Sequence, residues 1–475
     1  MNFSLEKKFY PYILLVLILV FALYLRLFAL GEAPFWVDES ISSLASKEIL
    51  SKWVPVFDSG EFYGRALVFH YSQAISFVIF GVNDFAARFP SVIFGLLTIV
   101  IAFLFGKEFF SKSKQKNYLA LVPALIFALF FLEVFFSRQA RFYQLFQLAF
   151  FACLYFVYKT KANSNYSYLA ALSFLIALDT QIAGIILAPI VFFNLFLTEY
   201  KLDKEKIFDK KNLILGVILI LVSLYYVSDV FSVSTGSTEL AISYATNYLE
   251  YFSNLNFVII LGLIGIVWAF FKTKEKTLFI LIPSIVLFVL AIFVELFAFR
   301  YVYPATFFIF FFFSLLLCFL IEKYGKLFIV VALFVLIIPS NLFFPLNYVT
   351  VITPISGAFN DYSSPIIDFS SVPNSLKQEM SSSTLVSLFP AALEWYVSKP
   401  DFVIPYSMDG RTPKISDKEV YSGAPFITTP PLRPYYFVKD YFSSSKSKDQ
   451  NQFDVFESNC ESKYSNSSIS IFYCD

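Results

Sequence analysis

Apolar runs long enough to cross a bilayer alternate along this 475-residue chain with short clusters that carry lysine and no arginine. The clusters lie at Lys7 and Lys8, from Lys107 to Lys116, at Lys159 and Lys161, from Lys201 to Lys211, from Lys272 to Lys276, and at Lys323 and Lys326. Backbone crosses lipid only where its hydrogen bonds close within the segment, so such runs dictate a bundle of membrane helices. Lysine-rich loops stay on the cytoplasmic side. All eight arginines, at positions 26, 65, 88, 138, 141, 300, 411 and 433, fall outside these clusters. A guanidinium fork binds phosphate at two points where an ammonium acts as a point charge. The face opposite the lysines therefore reads as a site for an anionic, phosphorylated ligand.

Composition supports this class. Hydrophobic residues make up 58% of the chain and charged ones only 15%, too few to cover a soluble domain of this size. Nucleic acid is excluded as a partner, because the lysines are scattered in loops and form no basic stripe. The first apolar run, residues 11–30, is as long as a full span and reads as a retained helix, with no cleavable leader evident. Cys153 and Cys318 sit inside apolar runs as small core residues. Cys460 and Cys474 lie in a polar tail, where an extracytoplasmic location permits a disulfide.

Two cytoplasmic clusters must be separated by an even number of crossings. Residues 11–30 and 85–105 make the first pair, so the apolar piece 66–81 reads as an interfacial or re-entrant helix within one large outer loop, 31–84. The run 119–158 is broken by Ser137, Arg138, Gln139, Ala140 and Arg141 into two spans. The short stretch between Lys161 and Lys201 must turn at Asp179, Thr180 and Gln181. Residues 213–231 and 257–271 flank an outer loop, 278–297 and 303–321 flank Arg300, and 327–344 carries the chain outward. The expected architecture is an all-α polytopic membrane protein of about eleven transmembrane helices. A membrane domain, residues 1–345, is followed by a small extracytoplasmic α/β domain, 346–475, in which residues 384–389, 390–398 and 402–405 read as strand, helix, strand.

This topology gathers Asp38, Glu39, Glu61, Arg65, His70, Asp84, Arg88, Arg138, Arg141, Asp179, Gln181, Glu295 and Arg300 at the outer boundary. Ionisable groups at membrane depth are costly and mark a substrate path or site. Asp38 and Glu39 follow an aromatic anchor, Trp36, and open an amphipathic run of Ile41, Leu44, Ala45 and Ile49. A carboxylate there can take a proton from a hydroxyl or hold a divalent cation; the plainer reading is that Asp38 caps the helix. Arg138 and Arg141, with Tyr143 close by, bind phosphate or reach to lipid headgroups, neighbours on one face if the turn is helical. Arg300 stands beside Tyr301, and Arg26 and Arg88 read as structural or as headgroup contacts. A zinc site of clustered histidines is excluded because His70 is the only histidine, which leaves it as a packing group, a phosphate contact or a proton carrier.

The series Trp36-Val37-Asp38-Glu39, Arg88-Phe89-Pro90-Ser91-Val92-Ile93-Phe94-Gly95, Ser137-Arg138-Gln139-Ala140-Arg141-Phe142-Tyr143 and Arg300-Tyr301-Val302-Tyr303-Pro304 resembles the GT-C superfamily of polyprenol-phosphate-sugar-dependent membrane glycosyltransferases. Within it, the series looks like the group of protein O-mannosyltransferases and the lipid A aminoarabinose transferase, over roughly residues 10–320. The resemblance implies Asp38 as catalytic base with Glu39 in support, and Arg138, Arg141 and Arg300 near the donor phosphate. Phe69-His70-Tyr71 stands where related enzymes have His or Lys before two prolines, here absent, and Gln181 stands where the family has a histidine. Tyr143, Gln181 and Tyr301 complete the implied substrate contacts.

The implied partners are a polyprenyl-phosphate-linked sugar, an acceptor on a protein, lipid or glycan, and the lipids of the plasma membrane. No nucleotide or other cofactor is required; a divalent cation on Asp38, Glu39 and Glu61 is an open alternative. A transporter or flippase predicts broken helices in both halves and an internal repeat; only the pair 166–198 is unusually short, and no repeat is found. A polymerase or ligase of lipid-linked glycans shares the enzyme logic with a different donor.

Overall fold

A computed structural model of the protein describes residues 3–198, 201–202, 209–232, 256–292, 299–325, 367–405, 420–441, 444 and 451–475. The chain forms two compact units: Met1–Phe28, Ser91–Arg138 and Phe142–Val351 in the first, and Ala29–Pro90, Gln139–Arg141 and Ile352–Asp475 in the second. The loop 31–84, read from the sequence as part of the membrane domain, thus groups with the tail.

Helices in chain order are α1 (Phe3–Leu27), α2 (Val37–Lys52), α3 (Leu67–Phe80), α4 (Asp84–Phe109), α5 (Lys116–Leu119), α6 (Leu121–Leu129), α7 (Phe131–Phe136), α8 (Tyr143–Lys159), α9 (Tyr166–Thr180), a 3-10 turn (Ile182–Leu187), α10 (Ala188–Phe196), α11 (Lys210–Ser232), α12 (Asn256–Ile292), α13 (Phe299–Val302) and α14 (Thr306–Tyr324). Among the described residues four are long and apolar enough to cross a membrane: Phe9–Leu27, Asp84–Phe109, Val258–Ile292 and Arg300–Tyr324. Among the described residues the expected count of about eleven is not confirmed, and several apolar runs are cut into shorter pieces. Phe130 is extended (ψ 129°) between α6 and α7, and Gln181 is extended (φ −147°, ψ 137°) after α9. The lysine loop at 272–276 survives as a break at Thr273 (φ −145°, ψ 57°) inside α12. The last expected span, 327–344, and nearly all of the loop after α11 lie outside the described residues.

In the first unit α14 is buried from Thr306 to Cys318, and the Phe307 ring lies 3.8 Å from Phe151 and 4.5 Å from Phe127. Helix α12 packs along α14 through glycine. A Cβ at Gly265 would fall 2.1 Å from the Phe312 carbonyl oxygen, so only the missing side chain allows the two backbones to approach this closely.

The second unit carries a five-stranded sheet of β3 (Leu385–Ser387), β4 (Phe402–Val403), β5 (Tyr435–Asp440), β6 (Glu461–Ser465) and β7 (Ile469–Cys474), ordered β4-β3-β5-β7-β6; β1 (Leu197–Thr198) and β2 (Lys201–Leu202) pair separately in the first unit. Beside α2 and α3, the tail gives this second unit α15 (Asn374–Ser381), α16 (Pro390–Tyr396) and α17 (Asn451–Glu457). The expected strand-helix-strand is β3-α16-β4: the strands are parallel, with Val386 opposite Phe402, and Pro390 sits at the first helical position, where its missing N–H costs nothing. Cys460 and Cys474 are joined as a disulfide where β6 begins and β7 ends. The apolar stripe of α2, through Ile41, Leu44 and Ala45, is buried in the same core as Leu385, Leu393, Tyr436 and Ile471. This core explains why the loop and the tail form one unit.

Candidate active site

Helix α2 starts at Val37 after Trp36, whose extended backbone (φ −80°, ψ 161°) makes it the N-cap. Asp38 and Glu39 therefore lie in the first turn, where a negative charge meets the positive end of the helix dipole; Asp38 is not the cap. Their fates differ. Glu39 is 1% exposed and faces inward, and its two oxygens accept four N–H donors. Oε1 takes Arg88 Nε at 2.9 Å and the Ala140 amide at 2.6 Å; Oε2 takes Arg88 Nη2 at 2.8 Å and the Trp36 amide at 3.3 Å.

Arg88 is saturated in turn. Its remaining N–H groups reach the carbonyls of Leu30 (2.9 Å), Ala33 (2.7 Å) and Pro34 (3.2 Å), so all five guanidinium donors have acceptors. A bidentate pair this well satisfied offsets the desolvation of both charges. It also ties the segment before α2 to α4. Glu39 thus has no lone pair left facing solvent for a proton or a metal ion.

Asp38 keeps about a fifth of its side chain exposed (21%), with Oδ2 at 3.7 Å from Arg141 Nη2. Arg141 grips the same turn of helix: Nη1 donates to Ser42 Oγ at 2.5 Å and to the Asp38 carbonyl at 3.2 Å, with the Tyr63 hydroxyl at 3.5 Å. The result is a partly open carboxylate oriented by a buried cation.

His70 lies on the buried face of α3, fully enclosed. Ser46 Oγ is 2.9 Å from its Nδ1 and donates to Gln73 Oε1 at 2.6 Å, and Gln73 Nε2 holds the Ala87 carbonyl at 2.8 Å. Burial, and then the positive charge of Arg141, push the imidazole pKa down from 6.5 to about 3, so the ring is neutral. A folded-state value below the unfolded one favours the fold above pH 6.5 and withdraws that support as pH falls toward 3. Replacing His70 by Gln is therefore expected to flatten the loss of melting temperature between pH 6.5 and 4. Parallel melting curves of the two proteins over that range would count against a buried neutral ring.

In the first unit, Arg138 Nη1 donates to the carbonyls of Leu25 (3.2 Å), Arg26 (2.8 Å) and Phe28 (2.7 Å), which closes the C-terminal end of α1. Arg26 holds the Phe127 and Ala128 carbonyls, both at 3.0 Å. The turn between α7 and α8 is not helical, so Arg138 and Arg141 do not share a helix face, and they fall in different units. Tyr143 opens α8 and is buried with its ring 5.1 Å from Phe142. Gln181 is buried at the break after α9, and its Nε2 makes no hydrogen bond. The Arg300 guanidinium lies 5.3 Å from the ring centroid of Tyr301.

Reading the sequence missed a buried polar cluster in this unit. The Tyr303 hydroxyl lies 3.0 Å from Glu133 Oε2 and 2.6 Å from Gln144 Oε1, and Gln147 Nε2 donates to Glu133 Oε1 at 3.1 Å. Glu133 is the one acidic residue in the apolar run 119–158, which was signal enough to single it out. Asp84, Trp395, Tyr396 and Ser42 were also missed as partners, because their contacts join segments far apart in sequence. Among the described residues no group of three or more His, Cys, Asp or Glu is placed to hold a metal ion.

Residues 64–227 match the family model described as dolichyl-phosphate-mannose-protein mannosyltransferase. The fold is similar to that of ArnT from Cupriavidus metallidurans in the apo state, at TM-score 0.65 and 10% identity, over 96% of this chain and 97% of that one. It is similar as well to the same protein bound to undecaprenyl phosphate, at TM-score 0.59 and 12% identity, over 96% and 97%. The archaeal oligosaccharyltransferase AglB from Archaeoglobus fulgidus, in complex with an inhibitory peptide and a dolichol-phosphate, matches at TM-score 0.55 and 13% identity, over 98% of this chain and 74% of that one. No curated protein matches by sequence. The family match over residues 64–227 and the likeness of fold agree with the resemblance to the GT-C superfamily of polyprenol-phosphate-sugar-dependent glycosyltransferases.

Proposed function

We propose that this GT-C-type chain moves a sugar from a polyprenyl-phosphate carrier to an acceptor hydroxyl on the extracytoplasmic side of the membrane, with Asp38 as the base. The single observation that carries the assignment is the contrast within the first turn of α2. Glu39 is sealed by four donors, while Asp38 stays partly open and is aimed by Arg141. The lipid phosphates in the ArnT and AglB structures support a carrier of that class.

In the proposed reaction Asp38 takes the acceptor's hydroxyl proton as that oxygen bonds to the anomeric carbon. The bond from that carbon to the phosphate oxygen breaks, and its electron pair leaves with the polyprenyl phosphate. A cation close to the departing oxygen stabilises the growing charge. The resemblance gives that part to Arg138, Arg141 and Arg300; of these, Arg138 also donates to the carbonyls at the end of α1, and Arg141 to the Ser42 hydroxyl and the Asp38 carbonyl. His70, neutral and enclosed, serves as packing for α2 and α3 rather than as a proton carrier. The test is donor turnover in reconstituted vesicles given a panel of polyprenyl-phosphate sugars, with water as a slow universal acceptor. Release of free sugar from one donor is expected; no turnover and no binding of any donor would sink the reading.

A further inference from the structure

The tail reaches the segment that carries Asp38 through two adjacent aromatic residues at the end of α16. The Tyr396 hydroxyl accepts the Phe35 amide at 2.7 Å and donates to Asp84 Oδ2 at 2.7 Å. Trp395 Nε1 donates to the other oxygen, Asp84 Oδ1, at 2.8 Å. The fully buried Phe35 ring sits 5.2 Å from Trp395 and 6.1 Å from Tyr396, and the Arg88 guanidinium lies 4.9 Å from its centroid. Trp395 also meets Phe77 of α3 at 6.0 Å.

From this geometry we infer that Trp395 and Tyr396 are positioning residues for the transferase proposed above, holding residues 35–39 where Asp38 can act. The inference rests on that reading of Asp38. Phe35 precedes α2, so its amide has no helical acceptor and depends on the Tyr396 oxygen. Asp84 stands one turn before Arg88 on α4, so the carboxylate that anchors the tail and the guanidinium that anchors Glu39 belong to one helical face. The chain leading into α2 is thus held from two sides: its carbonyls at Leu30, Ala33 and Pro34 by Arg88, and the Phe35 amide by Tyr396. A catalytic group displaced by about 1 Å can lose about a hundredfold in rate, so a brace of this kind acts on turnover more than on binding.

The experiment compares the full-length protein with Tyr396→Phe, Trp395→Phe and Val386→Ala in donor turnover and in hydrogen exchange of residues 30–40. Val386 of β3 is fully buried in a core cluster that contains no residue of α2, and serves as a stability control. Tyr396→Phe is expected to lower kcat about tenfold with donor KM unchanged, as loss of one hydrogen bond to a positioned amide implies, and to speed exchange at residues 30–40. Trp395→Phe should move both readouts in the same direction and serves if Tyr396→Phe does not fold. Val386→Ala, assayed below its melting temperature, should lower stability and leave both readouts near wild type. Unchanged kcat and exchange in Tyr396→Phe and Trp395→Phe overturn the inference, as does a Val386→Ala that reproduces their losses. Asp38→Asn run alongside separates the two ideas. If it keeps full turnover, the assigned base is wrong, and exchange at residues 30–40 alone decides the brace.

Discussion

Asp38→Asn is expected to lower donor turnover by about 10²–10⁴-fold, the range that general bases contribute. The substitution is nearly isosteric. Its amide keeps a polar group beside Arg141, so the N-terminal turn of α2 should hold its shape while the proton acceptor is lost. The informative comparison is Glu39→Gln, which removes the neighbouring charge from a carboxylate that already accepts from Arg88, Ala140 and Trp36. Its cost should fall first on folding. Equal activity losses in the two variants, both fully folded, would mean that the contrast within the first turn of α2 has been misread.

Arg88→Met is expected to be the most damaging single substitution for stability. The change leaves the Glu39 carboxylate buried with its bidentate partner gone, and it strips donors from the carbonyls of Leu30, Ala33 and Pro34. Breaking one side of a buried pair costs about 3–5 kcal/mol. For a unit of this size that corresponds to roughly 6–20 °C of melting temperature. Combining Arg88→Met with Glu39→Gln should recover part of the loss, because the amide carries no uncompensated charge. A single Arg88→Met variant that melts within a degree or two of wild type would show that the pair contributes little.

Arg88 also shows how far reading the chain reaches. The sequence marked it as structural or as a headgroup contact and Glu39 as support for Asp38, but not that the two pair across 49 positions. Arg138 was legible as a cation at a helix boundary; that its guanidinium closes α1 depends on which helix end lies beside it. Gln181 and Thr273 mark breaks close to where the parity of lysine clusters requires them, since local polarity interrupts an apolar run whatever its neighbours are. The β3-α16-β4 crossover follows from local signals in the same way, whereas the Cys460–Cys474 bond, which the sequence only permitted, depends on the pairing of β6 with β7. Glu133 could have been singled out by its charge, yet its tie to Tyr303 spans 170 positions and has no local trace.

Legible in the chain are the properties that depend on near neighbours: apolar length, the polar breaks at Gln181 and Thr273, and the aromatic-acidic motif at Asp38. These follow from transfer free energies and backbone sterics over a few residues. Tertiary structure alone decided which of two adjacent carboxylates is sealed and which stays open, and it recruited Trp395 and Tyr396 to the segment that precedes them. A buried charge is stable only when its partners converge on it in space, and convergence of residues 39, 88 and 140 is a property of packing that no local window of sequence contains.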